Sequence, residues 1–184
     1  GEESVSKGLG IKLVEGRAAQ HKASVTRRDL AQNDLPFIDA DRFAANLAPH
    51  ADRTPEQIEL AAIADTLIEE LQAADTIVFS VPIYNFGVPA TVKAWADLVA
   101  RAGTTFKYTE NGPEGLLTGK KVYLAVASGG TAVGSEIDFA TGYLRHVLGF
   151  IGIHEVEVVA ADRLMLDADA SLAKASAAID ALAA

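Results

Sequence analysis

Two short segments of the sequence combine residue types that could bind a flat ligand with polar edges. The first carries two aromatic rings and an amide directly after an apolar run, and it consists of Pro82, Ile83, Tyr84, Asn85 and Phe86. The second is nearly free of side chains, so its backbone N–H groups could approach a ligand closely; it consists of Ala127, Ser128, Gly129 and Gly130. Together the two segments favour a ring system held between aromatic side chains and backbone donors.

A third segment could bind an anion. If a helix begins at Ser4, its first N–H groups and the hydroxyls of Ser4 and Ser6 lie at the positive end of the helix dipole, where a phosphate binds well. A plain helix cap explains the same serines, and Glu2 and Glu3 beside them would repel a dianion. The first two segments also have simpler explanations, as core aromatics and as an ordinary glycine turn.

The composition restricts the classes of protein to which this chain can belong. It has 184 residues, 49% of them apolar, and 25 acidic against 16 basic side chains give a formal net charge of −9. Such an acidic chain is not expected to bind nucleic acid or an anionic membrane as its main partner. The sequence has no cysteine, which excludes disulfides and thiolate metal sites and fits a reducing cytoplasm. No metal site is expected, because the four histidines share no ligand spacing.

Helical and strand patterns alternate along the chain, which predicts a single α/β domain over residues 1–184 with a mostly parallel sheet. We expect helices at 4–15, 42–47, 55–73, 89–102, 137–150 and 167–182, strands at 21–30, 76–81, 121–127 and 153–160, and turn-rich chain at 104–119. The apolar run 76–81 predicts a central strand that is buried on both faces. Asp65, Glu69 and Glu70 fall on one helix and are expected to form a solvated face.

The predicted sheet brings the first two segments together. Ligands of an open parallel sheet bind outside the carboxyl ends of its strands, and the two segments follow the strands 76–81 and 121–127. The sequence contains no P-loop, no nucleophile elbow and no zinc-protease motif. It therefore predicts a binding site at this sheet edge, without a dedicated acid and base pair.

Three stretches, 81–86, 97–116 and 148–153, resemble the FMN-dependent NADH azoreductases, a flavodoxin-like group also described as NADH:quinone oxidoreductases. The resemblance covers nearly the whole chain. It implies a flavodoxin-like three-layer α/β sandwich with a parallel sheet of strand order 2-1-3-4-5. It also implies an enzyme that uses FMN to transfer two electrons from NADH to quinones and azo compounds by a ping-pong mechanism.

The resemblance further implies roles for individual residues. The FMN phosphate would be held by Ser4, Val5 and Ser6, and the ring by Pro82, Ile83, Tyr84, Asn85, Phe86, Ala127, Ser128, Gly129 and Gly130. Family members are homodimers with sites at the interface. Tyr108 and Phe150 would therefore form a substrate lid, at least partly over the flavin of the partner chain.

The sequence also departs from the family pattern. Some relatives carry Ser-Arg-Gly-Gly where this chain has Ala-Ser-Gly-Gly at 127–130, and some have His in place of Ala132. The chain opens at Gly1, where the phosphate loop of the family ends, so the first strand is expected to be missing. The strands near Val25 and Val78 would then flank an empty lane about 9 to 10 Å wide. Two alternatives stay open: an FMN electron carrier that serves protein partners, and a truncated chain that binds no flavin.

Overall fold

Helices and strands alternate in the computed structural model, which describes residues 4–32 and 34–183. The helices are Val5–His21 (α1), Ala40–Leu47 (α2), Pro55–Ala73 (α3), Ala90–Val99 (α4), Thr141–Phe150 (α5) and Ala168–Ala183 (α6), with a 3₁₀ turn at His50–Asp52. The strands are Thr76–Pro82 (β1), Phe106–Thr109 (β2), Gly112–Gly115 (β3), Lys121–Ala127 (β4) and Glu155–Ala161 (β5). None of the described helices is long and apolar enough to cross a membrane.

Strands β1, β4 and β5 form a parallel sheet in the order β1-β4-β5. This order matches the third, fourth and fifth strands of the expected flavodoxin-like arrangement. β4 is the middle strand, and its side chains from Val122 to Ala127 are all buried. A parallel strand with helices on both faces has this uniformly apolar sequence, because neither face meets water.

The helices cover both faces of the sheet and make the molecule a three-layer sandwich. On one face, Leu124 of β4 belongs to a core cluster that includes Leu67 of α3, Trp95 of α4 and Leu144 of α5. On the other face lies a second cluster, which contains Leu9, Leu13, Tyr123, Ala125, Val159, Ala161, Ala175 and Ile179. Alternate residues of β4 therefore enter different cores, as the two-residue period of a strand requires.

Two strand predictions were wrong. Residues 23–29 have no regular secondary structure and form no strand within the described parts of the chain, and Val25 is exposed. Their weak alternation buries too little apolar surface to dock them on a sheet. β1 was predicted to be buried on both faces, yet its Ser80 is exposed. It pairs with β4 alone among the described strands, which does not contradict the expected strand order. The width of the predicted empty lane beside β1 stays a prediction.

All predicted helices are present. Some of their ends differ from the prediction, because side chains that accept backbone N–H groups determine where a helix starts. α3 begins as predicted, because Thr54 and Gln57 form a reciprocal capping box and Pro55 occupies the first turn. α5 begins at Thr141, four residues later than predicted. The Asp138 carboxylate accepts the N–H groups of Ala140 and Thr141 and fixes the helix start there.

The solvated face predicted for α3 was correct only for Glu69. Asp65 accepts hydrogen bonds from Arg53 at 2.7 Å and from Arg101 at 2.6 Å, and Glu70 binds Arg28 through both carboxylate oxygens. Burial acts to raise the pKa of Asp65, but the two guanidinium groups outweigh it and hold the pKa below its ordinary value. These partners are distant in sequence, so helical spacing alone could not reveal them.

Segment 104–119 is more regular than predicted. β2 and β3 pair antiparallel as a separate two-stranded sheet, and a turn at residues 110–111 connects them. A β-carbon at Gly115 would lie 2.0 Å from the backbone nitrogen of Gly152. Gly115 is therefore required for this hairpin to contact the chain that follows α5.

Candidate functional site

The site lies at the carboxyl edge of the parallel sheet. Pro82, Ala127 and Ala161 are the last residues of β1, β4 and β5, and the strand register places them side by side. The N–H of Ile83 donates to the carbonyl oxygen of Ala127 at 2.8 Å, so the first two predicted segments are joined by a backbone hydrogen bond. The prediction that they meet at one edge is confirmed.

The segment after β1 is a tight turn that displays its side chains. Tyr84 and Gly87 exchange two backbone hydrogen bonds of 3.0 Å each. Between them Asn85 has φ 47° and Phe86 has φ 70°, the left-handed pair of a type I′ turn. Tyr84 is 61% exposed and Phe86 is 53% exposed, so neither is core packing. A side-chain-bearing residue in this conformation costs on the order of 1 to 2 kcal/mol.

The segment after β4 is fixed by a buried serine. Ser128 donates its N–H to Ala161 at 3.1 Å, donates its hydroxyl to the carbonyl of Thr131, and accepts the N–H of Arg163 at 3.3 Å. A β-carbon added to Gly130 would meet nothing within 4 Å, whereas one added to Gly129 would lie 3.0 Å from the sulfur of Met165. The bare backbone therefore faces open space at Gly130 only.

The serines at the start of α1 reach the same edge. Gly10 of α1 packs directly against Ser80 near the end of β1. Arg17, later on the helix, lies over the ring of Tyr123, which pairs with Val78, so α1 runs towards the amino ends of the strands. Ser4 and Ser6 lie four to six residues before Gly10, which is about 6 to 9 Å further toward the carboxyl edge. Ser4 caps α1 by accepting the N–H of Lys7 at 3.5 Å, its hydroxyl lies 3.3 Å from that of Ser6, and Val5 packs on the α1 core cluster. Glu2 and Glu3, predicted to repel an anion, lie outside the described residues.

The two predicted lid aromatics lie elsewhere. Phe106 joins them, with its ring centroid 5.4 Å from that of Tyr108 and 4.4 Å from that of Phe150. α5 starts beside the site, where Phe139 bonds to Phe86, and ends at Phe150, about 15 Å further along the helix axis. Only four residues separate Phe150 from the start of β5, so Phe150 lies towards the amino ends of the strands. Tyr108 is 73% exposed there. Within one chain, the structure does not bring this pair to the site.

A loop over residues 131–140 borders the turn at Phe86. The N–H of Phe139 donates to the carbonyl of Phe86 at 3.0 Å, and the Phe139 ring is exposed. Asp138 holds the loop by accepting the N–H of Gly134 at 2.9 Å together with the N–H and hydroxyl of Thr141. Burial acts to raise the pKa of Asp138, but these hydrogen bonds outweigh burial and hold it below its ordinary value.

Sequence reasoning missed Phe139 and Met165. Phe139 had been assigned to a helix, and Met165 lies between β5 and α6, where no site was predicted. Ligands bind at the carboxyl ends of all strands of such a sheet. The same rule could therefore have identified the chain that follows β5, including Met165, as a candidate part of the site.

The arrangement suits a planar aromatic ligand with polar edges. The exposed rings of Tyr84 and Phe86 and the amide of Asn85 lie on the turn after β1. The open backbone at Gly130 lies after β4, and the hydroxyls of Ser4 and Ser6 lie at the start of α1. Such a set of groups can bind and orient a ring and a phosphate.

Known proteins resemble this chain along its whole length. A family described as having a flavodoxin-like fold matches residues 1–184. The chain is 68% identical over 166 residues to the FMN-dependent NADH:quinone oxidoreductase of Erythrobacter litoralis, covering 90% of this chain and 84% of the relative. It is 55% identical over 181 residues to FMN-dependent NADH:quinone oxidoreductase 1 of Jannaschia sp., covering 98% of this chain and 92% of the relative.

A solved structure also resembles this chain over its whole length. An FMN-dependent NADH-azoreductase from Bacillus anthracis, crystallised in complex with FMN, superposes with a TM-score of 0.88 at 25% identity. The superposition covers 100% of this chain and 91% of that chain.

Proposed function

The chain belongs to the flavodoxin-like family of FMN-dependent NADH:quinone oxidoreductases, and from this membership we propose that it binds FMN and transfers two electrons from NADH to quinones and azo compounds. One site serves donor and acceptor in turn, which gives ping-pong kinetics. We also propose that the reaction takes place in the cytoplasm, a reducing compartment with which a chain without cysteine is compatible.

The observation that carries this proposal is the left-handed turn at Asn85 and Phe86 beside the open backbone of Gly130. Strained residues persist where the surrounding structure imposes them, and they cluster at ligand sites. Here the strain exposes an amide and an aromatic ring next to a space that any side chain at residue 130 would enter. A flavin ring needs this combination of a flat contact and polar contacts at its edge.

Each part of the site has a task in this proposal. Ser4 and Ser6, with the N–H groups of the first turn of α1, hold the phosphate. Phe86 contacts the ring, while Asn85 and the backbone of 128–130 hydrogen-bond its polar edge. When bound, FMN supplies the redox chemistry, and the protein positions it and modulates its potential. Asp138 and Ser128 act indirectly by fixing the loops.

We propose that a second copy of the chain completes the site. Phe150 lies at the far end of α5 from the turn, and Tyr108 clusters with it through Phe106, so the pair can serve as a lid only for a partner's flavin. An apolar cleft of about 210 Å³ between α4 and α5 extends from Phe150 along Ala96, Ala100, Tyr143 and Val147. A symmetric dimer would cover this surface and bring each lid to the other chain's site.

Reconstitution tests the main proposal. Protein incubated with FMN and freed of excess flavin is expected to keep a flavin absorbance spectrum and to oxidise NADH with menadione or a simple azo dye. Flavin absorbance without NADH oxidation would instead indicate an electron carrier. Failure to retain FMN would overturn the proposal.

A further inference from the structure

The chain that follows β5 continues the backbone hydrogen bonding between β5 and β4. It lies beside the segment 128–130, which is proposed to bind the flavin ring. Ser128 donates its N–H to Ala161 at 3.1 Å, Leu164 donates to the carbonyl of Ser128 at 3.0 Å, and Met165 donates to the carbonyl of Gly129 at 2.9 Å. These three bonds lie beyond the ends of β4 and β5. They fix the backbone of Met165 against the segment 128–130.

A left-handed residue sets the direction of the side chains that follow. Arg163 has φ 51° and donates its N–H to the Ser128 hydroxyl, while the neighbouring Asp162 carboxylate accepts the N–H of Val133 at 2.8 Å. After this bend, Leu164 packs against the core cluster of α1 and α6, whereas Met165 is 84% exposed. Core packing therefore does not explain Met165.

Met165 occupies the space that Gly129 leaves free. The sulfur lies 3.0 Å from where a β-carbon of Gly129 would stand, and the Met165 Cγ lies 3.3 Å from it. The adjacent Gly130 faces open space. The thioether consequently stands at the boundary of the proposed ring site, on the side of β5.

We propose that Met165 forms the β5-side wall of the site and contacts the bound ring system. This inference rests on the proposed function, because the ligand in contact is FMN. An unbranched, polarisable thioether makes favourable contacts at the edge of an aromatic ring and adapts to its position through three rotatable bonds. Binding FMN then buries a side chain that is otherwise exposed to water.

The test uses the fact that Met165 is the only methionine in the chain. Protein labelled with ¹³C at the methionine ε-methyl gives one resonance, which reports on this side chain alone. We expect the resonance to shift by more than its linewidth when FMN is added, because the methyl group enters the ring-current field of the flavin.

Variants supply a second measurement that does not depend on turnover. Met165→Ala is expected to weaken FMN binding about 2- to 10-fold, whereas Met165→Leu keeps the apolar bulk and changes affinity less. Leu166→Ala is the matched control, since Leu166 is an exposed apolar neighbour that lines a separate cleft with Arg163 and Lys174. It should bind FMN like the unmodified protein.

The outcomes separate the two proposals. If the unmodified protein binds FMN, yet the methyl resonance stays in place and Met165→Ala binds as tightly, then this inference is overturned and the proposed function stands. If the unmodified protein does not bind FMN, the proposed function fails and this inference fails with it.

Discussion

At the scale of single residues, Asn85 and Phe86 hold a strained, left-handed backbone in the loop after β1. Asparagine tolerates the left-handed region, but an aromatic residue there costs on the order of 1 to 2 kcal/mol. A domain with a total stability of about 5 to 15 kcal/mol keeps such a cost only where the neighbourhood imposes it. The two Tyr84–Gly87 hydrogen bonds and the Phe139–Phe86 hydrogen bond do so here.

Replacing Asn85 separates its backbone role from its amide. Asn85→Gly fits φ 47° without strain and removes only the side chain, so folding stability should not fall. FMN affinity should fall about 10-fold, because one hydrogen bond to the ring is lost. Asn85→Leu should lose both affinity and stability. Equilibrium FMN titration and urea unfolding measure the two effects, and wild-type affinity in Asn85→Gly would show that the amide does not contact FMN.

Asp138 makes the folding stability depend on pH. Its pKa in the folded protein lies below the ordinary value of 3.8, so its carboxylate stabilises the fold fully above that value. The contribution is lost as the pH falls through the lower folded pKa. Asp138→Asn should therefore cost about 2 kcal/mol of unfolding free energy near neutral pH, because charge-assisted hydrogen bonds are lost.

The difference between Asp138→Asn and the unmodified protein should shrink in acid. Urea unfolding of both proteins at about pH 7 and about pH 3 measures this change. Asp180→Asn, on the exposed surface of α6, is the control and should have little effect at either pH. A difference that stays constant between the two pH values would contradict the assignment.

At the scale of elements, the contact between α1 and β1 decides whether the serines reach the site. A β-carbon at Gly10 would lie 1.9 Å from the Ser80 hydroxyl oxygen and 3.2 Å from the Ser80 β-carbon. Rotation of the hydroxyl relieves the first contact but not the second. The helix therefore lies so close to the strand that a β-carbon at residue 10 would require the Ser80 hydroxyl to rotate and the Ser80 β-carbon to shift.

Two glycines of α1 provide a matched test of this contact. Gly16 has open space around it, so Gly16→Ala should stabilise the protein by about 0.5 to 1 kcal/mol through helix propensity alone. Gly10→Ala receives the same propensity gain but must push α1 away from β1. It should therefore be less stable than Gly16→Ala by at least about 1 kcal/mol. Equal stabilities in thermal or urea unfolding would show that the two elements do not touch closely.

The fold of the whole molecule separates the parts of the proposed site. The turn at 84–87 lies at the carboxyl edge of the sheet, whereas the Tyr108 and Phe150 cluster lies toward the opposite edge. Two active sites that each combine both parts require two chains. This prediction extends beyond a single chain and concerns the assembly in solution.

Complementation between inactive variants tests the shared site. Gly130→Phe fills the open ring space of its own chain, and Tyr108→Ala removes an exposed lid aromatic. A heterodimer of the two, purified through different tags, contains one site with intact loops and an intact lid. It should show about half of the wild-type NADH oxidation, while each parent homodimer is far less active. No recovery in the heterodimer, or a monomer by light scattering, would contradict the prediction.

The sequence by itself determined the alternation of helices and strands, the buried β4 and the two segments that meet at Ile83 and Ala127. These features follow from local rules: apolar periodicity defines the elements, and the chain leaving a parallel strand must emerge at its carboxyl end. The resemblance of 97–116 and 148–153 to a known family supplied the cofactor and the reaction. Both the apolar periodicity and the family resemblance can be recognised from residues that are close together in the sequence.

Only the tertiary structure decided which residues face one another across the fold. Helical spacing predicted that Asp65 is solvated, whereas in the structure its carboxylate binds Arg53 and Arg101. No role was predicted for Met165, whose backbone hydrogen bond to Gly129 places it beside the segment 128–130. Tyr108 likewise lies away from the loops of its own chain. Such contacts join residues that are far apart in sequence, and they depend on the packing of whole elements, which no local pattern encodes.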